Sequence, residues 1–322
     1  MGDAARILCV EKDREILHLL ERVLLDEGYE VLAASSAAEG LSTLEESGPV
    51  HVVLAGQPAG SPGDAEFHDE VRARWPDAVR IAFAGDADAA AVASAIHNGR
   101  IYKILAGPSD AEGTRAVVEN AVERFRLVQA LRGVDEEVLR AVAQEVELRD
   151  AYTRGHCDRV AGYALRIAAV LGLPDESMQS LRYGSWLHDC GKIGVPEAIL
   201  NRPGKLSPEE LAVVRFHPAW GAEIARLAKL PPGVVDILQH HHERFEGHGY
   251  PAGMAGEEIP LAGRIVAVAD AYDAVTADRP YAKRYEPEEA MRVVGVLRGA
   301  AFDPEVVDAL FAGLAGEGEI SP

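Results

Sequence analysis

Five histidines and two aspartates in the second half of the sequence sit in neighbourhoods that do not suit them. His156 stands in YTRGHCDRV, where a helix begins, and His188 and Asp189 close an apolar run in WLHDCGKIGVP. His217 lies in RFHPAWGAE, His241 and His242 end VVDILQHHH, and Asp270 falls mid-helix in RIVAVADAYDAVTADRPY. A carboxylate in the middle of an apolar helix is costly to bury without a partner. Asp270 and Asp273 are three residues apart, so they share a helix face. A salt bridge or a helix cap explains one such aspartate. Several imidazoles and carboxylates on neighbouring apolar helices are harder to explain that way. Imidazole with carboxylate suits Fe, Mn, Zn or Ni. Adjacent His188 and Asp189 can divide the work, the imidazole serving one ion and the carboxylate bridging two. Ions roughly 3.5–4 Å apart can clamp a phosphoryl oxygen. Lys192, three residues past Asp189, offers a point charge for a phosphate. The stretch QHHHERFEGHGYPAG (239–253) adds a third histidine and a glycine loop. From these residues alone it fits either a metal site or a solvated helix end.

These side chains need a scaffold. Beyond Asp150 no strand pattern occurs, and helical runs alternate with NRPGKLSP, LPPG and GHGYPAG, so this half reads as all-α. Residues 1–110 behave differently. RILCV (6–10), EVLAAS (30–35), VHVVLA (50–55), VRIAFA (79–84) and RIYKIL (100–105) read as short buried strands. Between them, segments such as REILHLLERVLLDEG carry helical spacing and end in glycine. Five such units predict a parallel sheet with helices on both faces. From Glu112 to Asp150 the pattern is helical and charged, with Val118, Val122, Phe125, Val128 and Leu131 at intervals of three or four and Gly133 interrupting. A dimerising connector and a single amphipathic helix docked on one domain both fit this pattern.

A chain of 322 residues with 48% hydrophobic content suggests two domains with real cores. No apolar run approaches the roughly 18 residues needed to span a bilayer. The opening MGDAARILCVEKD lacks a signal peptide's basic and apolar segments. The expectation is a soluble, cytoplasmic protein without membrane partners. Cys9, Cys157 and Cys190 are too few and too odd in number for a disulfide framework and read as small buried hydrophobes. A net charge of −20 disfavours duplex nucleic acid. A small anionic ligand would need local positive charge or metals to enter.

The segments HDCGKIGVP, HHHERFEGHGYP and VADAYDAVTADRPY resemble the HD-GYP family, a branch of the HD phosphohydrolases, over residues 145–312. The resemblance implies an all-helical domain (145–322) holding two divalent transition metals, iron or alternatively manganese. It implies hydrolysis of cyclic di-GMP to linear pGpG and on to GMP. Carried over by position, His156, His188, Asp189 and Asp270 would hold one ion, and Asp189, His217, His241 and His242 the other. Lys192 would contact the scissile phosphate, with Asp189 and Tyr250 as the other catalytic candidates. Tyr250, Arg279 and Lys283 would join Lys192 in binding substrate. His240 and His248 receive no role, and Asp273 is expected to support a ligand histidine. Tyr152 stands where some members have a glutamate for a third metal, so two ions are expected. Glu246 replaces the usual aspartate before the loop's first glycine. Ala282 replaces a basic residue after DRPY, with Lys283 next. That change favours an alternative, a cyclic di-GMP-binding sensor or adaptor with weak turnover or none. A further alternative is another phosphoester, such as a different cyclic dinucleotide.

Residues 5–126 resemble response-regulator receiver domains of two-component signalling, which implies a flavodoxin-like, doubly wound domain over 1–126. A helical linker (112–150) would overlap its last helix. The receiver's chemical positions are changed. Glu11 and Lys12 follow strand 1, Ala55 stands at the phosphoacceptor position, Ala84 replaces a hydroxyl, and Gly107 replaces a lysine. No phosphoacceptor is therefore expected. Asp64, Asp86 and Asp88 lie near the loops as weaker substitutes. The half is expected to work by contact, through homodimerisation with the linker or through a signalling protein partner.

Overall fold

The computed structural model describes residues 4–57, 62–84, 101–105, 111–148, 155–277 and 284–315. The chain divides into two compact units, Met1–Gln129 and Ala130–Pro322. The first contains β1 (Arg6–Val10), α1 (Arg14–Asp26), β2 (Glu30–Ala34), α2 (Ala37–Ser47), β3 (Val52–Gln57), α3 (Pro62–Arg74), β4 (Val79–Ala84), β5 (Lys103–Leu105) and α4 (Ala111–Ala130). Its sheet is parallel with order β2-β1-β3-β4-β5, the flavodoxin-like doubly wound arrangement. The central strand β1 is buried on both faces, as its continuous apolar run Ile7, Leu8, Cys9 requires, while the edge strand β2 is largely half-buried. α1 starts where the Asp13 carboxylate accepts from the backbone N–H groups of Glu15 and Ile16, and it buries Leu17, Leu20, Val23 and Leu24 on one face. The fold class expected from the sequence stands, although β3 begins two residues later than 50 and β5 starts at Lys103.

At the receiver-like centre, Ala55 pairs in register with Val10. It belongs to a buried apolar cluster with Leu8, Val10, Val53 and Phe67. The Glu11 side chain lies over Gly56, where an added Cβ would overlap its carboxylate. The same carboxylate accepts from the Asp13 N–H at 3.0 Å. Gly107, Asp86 and Asp88, with the side chains of Asp64 and Ala84, lie outside the described residues.

The helical stretch anticipated over 112–150 is two helices, α4 and then α5 (Glu136–Glu147). α4 buries Val118, Ala121, Val122, Leu127 and Val128, and all but its last residue falls in the first unit. α5 belongs to the second. It starts at the Asp135 cap, whose side chain accepts from the Val138 N–H, and it packs on the two helices that follow it.

The described elements of the second unit are all helices, joined by turns and loops. After α5 come α6 (His156–Val170), α7 (Asp175–Leu187), a 3-10 turn (Cys190–Gly194), α8 (Glu197–Leu200), α9 (Pro208–Val214), α10 (His217–Leu227) and α11 (Pro232–His240). A second 3-10 turn (Gly256–Glu258) precedes α12 (Leu261–Thr276), α13 (Pro287–Val296) and α14 (Pro304–Ala315). Val160, Ala164, Ile167, Leu181, Ile237, Leu238, Ile265, Val266 and Val268 form its interior. Among the described residues no helix is long and apolar enough to cross a membrane.

One close approach fixes this core. The turn at Gly191 lies so near α10 that an added Cβ would sit inside the His217 carbonyl and 2.6 Å from the Gly221 nitrogen. Both obstacles are backbone, which cannot rotate away. Gly191→Ala is expected to destabilise the second unit by about 3 kcal/mol, read as a lower midpoint in denaturant unfolding followed by circular dichroism.

Candidate metal centre

The candidate ligands cluster at helix ends. His156 and His217 open α6 and α10, and His188 and His241 cap the C-termini of α7 and α11. Terminal carbonyls have no partner within their own helix and accept from nearby donors. His188 Nδ1 lies 2.7 Å from the Ser185 carbonyl, His217 Nδ1 2.8 Å from that of Val214, and His241 Nδ1 3.0 Å from that of Leu238. His156 Nδ1 faces the buried Asp273 Oδ2 at 2.7 Å, and Arg159 donates to the same carboxylate at 2.6 Å. Every Nδ1 in this set therefore carries a proton, which leaves the lone pair on Nε2.

Those lone pairs converge. His156 Nε2 and His188 Nε2 are 3.3 Å apart, as are His217 Nε2 and His241 Nε2. Asp189 lies between the pairs, its Oδ2 3.4 Å from His188 Nε2 and its Oδ1 3.4 Å from His217 Nε2. Two groups of donor atoms result, one of Asp189, His217, His241 and His242 and the other of His156, His188 and Asp189, each with its atoms within 4.8 Å of one another. Asp270 Oδ1 is 3.3 Å from His156 Nε2 but lies outside the tighter group. Facing lone pairs repel unless a cation or proton stands between them. A buried set of imidazole and carboxylate donors around one shared carboxylate fits a pair of divalent transition ions.

The electrostatics agree with this fit. Burial pushes His217 down to about 3 and holds His241 and His242 well below the ordinary imidazole value, so these rings stay neutral at neutral pH. Burial also acts to lower His188, but Asp189 and Asp270 outweigh it and push the group up to about 9. Burial acts to raise Asp189, yet Lys192, His188 and His217 hold it well below the usual carboxylate range. Lys192 Nζ lies 2.7 Å from Asp189 Oδ2.

Tyr250 stacks on His242, ring centroids 4.9 Å apart, and burial, with Asp189, holds its phenol well above the ordinary tyrosine value. His240 is half-buried with its Nδ1 4.0 Å from Glu243 Oε1, and exposed His248 lies beside Glu246; neither joins a donor group. Arg279, Ala282, Lys283 and Tyr152 lie outside the described residues. Sequence reasoning missed four residues that hold the centre or border it. Glu147 accepts from the Gly155 and Cys157 N–H groups at 2.9 and 2.8 Å and so anchors the start of α6. Buried Glu243 accepts from Ala252 and Met254 at 2.7 and 3.1 Å and pins the loop that carries Tyr250. Arg159 braces Asp273, and Arg215 lies over the Tyr250 ring. Only Glu243, directly after a run of ligands, carried a signal that could have been read.

Residues 140–306 match a family model described as the HD domain, just over half of the chain. The chain belongs to the HD domain family. Within the matched residues lie the pair His188–Asp189 and the triplet Gly249–Pro251 on which the resemblance to the HD-GYP branch rests. The HD domain protein is similar to "Cyclic di-GMP phosphodiesterase response regulator RpfG" of Xanthomonas campestris pv. campestris, 39% identical over 196 residues that cover 59% of this chain and 52% of that protein. It is also similar to "3'3'-cGAMP-specific phosphodiesterase 2" of Vibrio cholerae, 36% identical over 190 residues that cover 58% of this chain and 36% of that protein. A response regulator receiver domain from Clostridium thermocellum is 26% identical, covers 38% of this chain and 98% of that one, and has a TM-score of 0.36. The HD domain chain spans about half or less of the length of these curated relatives.

Asp273→Asn is expected to weaken divalent-ion binding about 10–100-fold, because the buried carboxylate fixes the His156 ring; competition with a chromogenic chelator measures it. Protons and cations compete for the same Nε2 lone pairs, and His188 holds its proton up to about 9. Ion binding at neutral pH should therefore release about one proton per chain and weaken as pH falls. Calorimetry in buffers of different ionisation enthalpy reads both effects.

Proposed function

We propose that this protein is a two-metal phosphodiesterase that hydrolyses cyclic di-GMP to linear pGpG and onward to GMP. The observation that carries this reading is Asp189, a single carboxylate that faces two histidine groups and bears Lys192 on one oxygen. The mixed nitrogen and oxygen donors suit iron or manganese, with His156, His188, Asp189 and Asp270 around one ion and Asp189, His217, His241 and His242 around the other. Bound divalent ions would supply Lewis acidity at a phosphoryl oxygen and make water a stronger acid. The chain's own groups supply the rest. Lys192 turns its ammonium from Asp189 toward the phosphate oxygens, where charge builds in phosphoryl transfer. Tyr250, kept a neutral phenol by its surroundings, donates a hydrogen bond to the substrate from a ring fixed against His242. Arg279 and Lys283 contact the nucleotide.

We assign residues 1–126 to a receiver-like domain that takes no phosphoryl group, 112–150 to a helical linker and 145–322 to the HD-GYP domain. The first of these works by contact, as a homodimer or with a signalling partner, in the cytoplasm. The relative named for 3′3′-cGAMP supports a second reading, in which the substrate is that mixed cyclic dinucleotide.

Protein purified anaerobically and loaded with Fe(II) or Mn(II) is expected to convert cyclic di-GMP to pGpG faster than 3′3′-cGAMP, by chromatography of the products. Asp189→Ala is expected to lower kcat about 10³-fold. Preference for 3′3′-cGAMP would favour the second reading. Tight binding of either nucleotide without product would make the protein a sensor.

A further inference from the structure

Arg215 is the C-terminal cap of α9, two residues before His217. Its side chain is exposed. Among the described residues it makes no ion pair, in a chain with 52 acidic and 32 basic residues. Its guanidinium lies 5.4 Å from the centroid of the Tyr250 ring, and that ring stacks on His242 with planes 28° apart. Guanidinium, phenol and imidazole thus form a column from solvent to the donor groups. The Tyr250 phenol lies within electrostatic reach of Asp189, Asp270, Lys192 and Arg215. Lys192 Nζ lies 2.7 Å from Asp189 Oδ2, whereas Arg215 makes no ion pair with a carboxylate among the described residues.

A cyclic dinucleotide carries two phosphodiesters, and only one can sit at the donor groups at a time. The other approaches a chain of net charge −20 and needs a counter-charge. A guanidinium can take two phosphate oxygens in its fork while its carbon stays over an aromatic face. We infer that Arg215 binds the non-reacting phosphodiester of a cyclic dinucleotide, with the Tyr250 ring packed against its guanidinium. The inference rests on the functional reading above and adds a substrate-positioning residue to it.

The test uses the full chain, metal-loaded, with cyclic di-GMP and with bis(p-nitrophenyl) phosphate, which has a single phosphodiester. Arg215→Ala should raise KM for cyclic di-GMP about tenfold, as expected for loss of a charge-assisted hydrogen bond, with kcat within about twofold. The ratio of kcat/KM for the dinucleotide to that for the simple diester should fall about tenfold, and calorimetric titration should show a matching rise in Kd. Arg215→Lys should recover only part of the loss, since an ammonium lacks the fork. Metal content and thermal midpoint should stay at the wild-type values. An unchanged KM and Kd, or equal losses on both substrates, would overturn the inference while leaving the phosphodiesterase reading intact. Failure of that reading looks different: wild-type protein would hydrolyse the simple diester yet neither bind nor cleave a cyclic dinucleotide, and the inference would fall with it.

Discussion

Two pairs of imidazole Nε2 atoms face one another at 3.3 Å. Left to themselves these rings would turn apart. They stay because each is held from behind by an acceptor that fixes which nitrogen carries the proton. Three of those acceptors are carbonyls in the last turn of a helix or just beyond it, and the fourth is Asp273. The helical unit is in this sense a frame that forces basic atoms together, and its apolar packing stabilises an arrangement that local electrostatics oppose. A cation removes the opposition. The same frame explains why Asp189 matters more than any single ring, because it is the one negative charge that both pairs share.

The frame has its own supports. Glu147 reaches from α5 to the backbone where α6 begins, so the orientation of His156 depends on a helix that contributes no candidate ligand. Glu243 does similar work for the loop that carries Tyr250. Gly191 lets the turn after Asp189 touch the backbone of α10, and that approach sets the reach from Asp189 to His217. Local chain geometry, helix packing and donor placement form one continuous dependence.

Much of this was legible in the sequence. Parallel strands announced themselves as short apolar runs between helical patterns, and His188, Asp189, His217, His241 and His242 stood out because polar groups in apolar surroundings need a reason. Glu147, Arg159 and Arg215 were not legible, because acidic and basic residues on amphipathic helices are ordinary and only three-dimensional contact separates an anchor from a solvated charge. The break between α4 and α5 was signalled by Gly133, yet nothing in the periodicity told which unit each helix joins. Asp270 shows the opposite limit. Its burial cost was readable, but its place at the edge of one donor group, rather than within it, depends on side-chain geometry that spacing does not encode.

In the receiver-like half, packing decides what one position accepts. Ala55 is part of the apolar interior against Val10 and Phe67, and Glu11 has settled over the neighbouring Gly56. Writing an aspartate back at position 55 would bury a charge among hydrocarbon while a second carboxylate stands close by. Packing thus makes position 55 a hydrocarbon site, and the shape of the interior, more than the loop chemistry around it, sets which side chain it accepts.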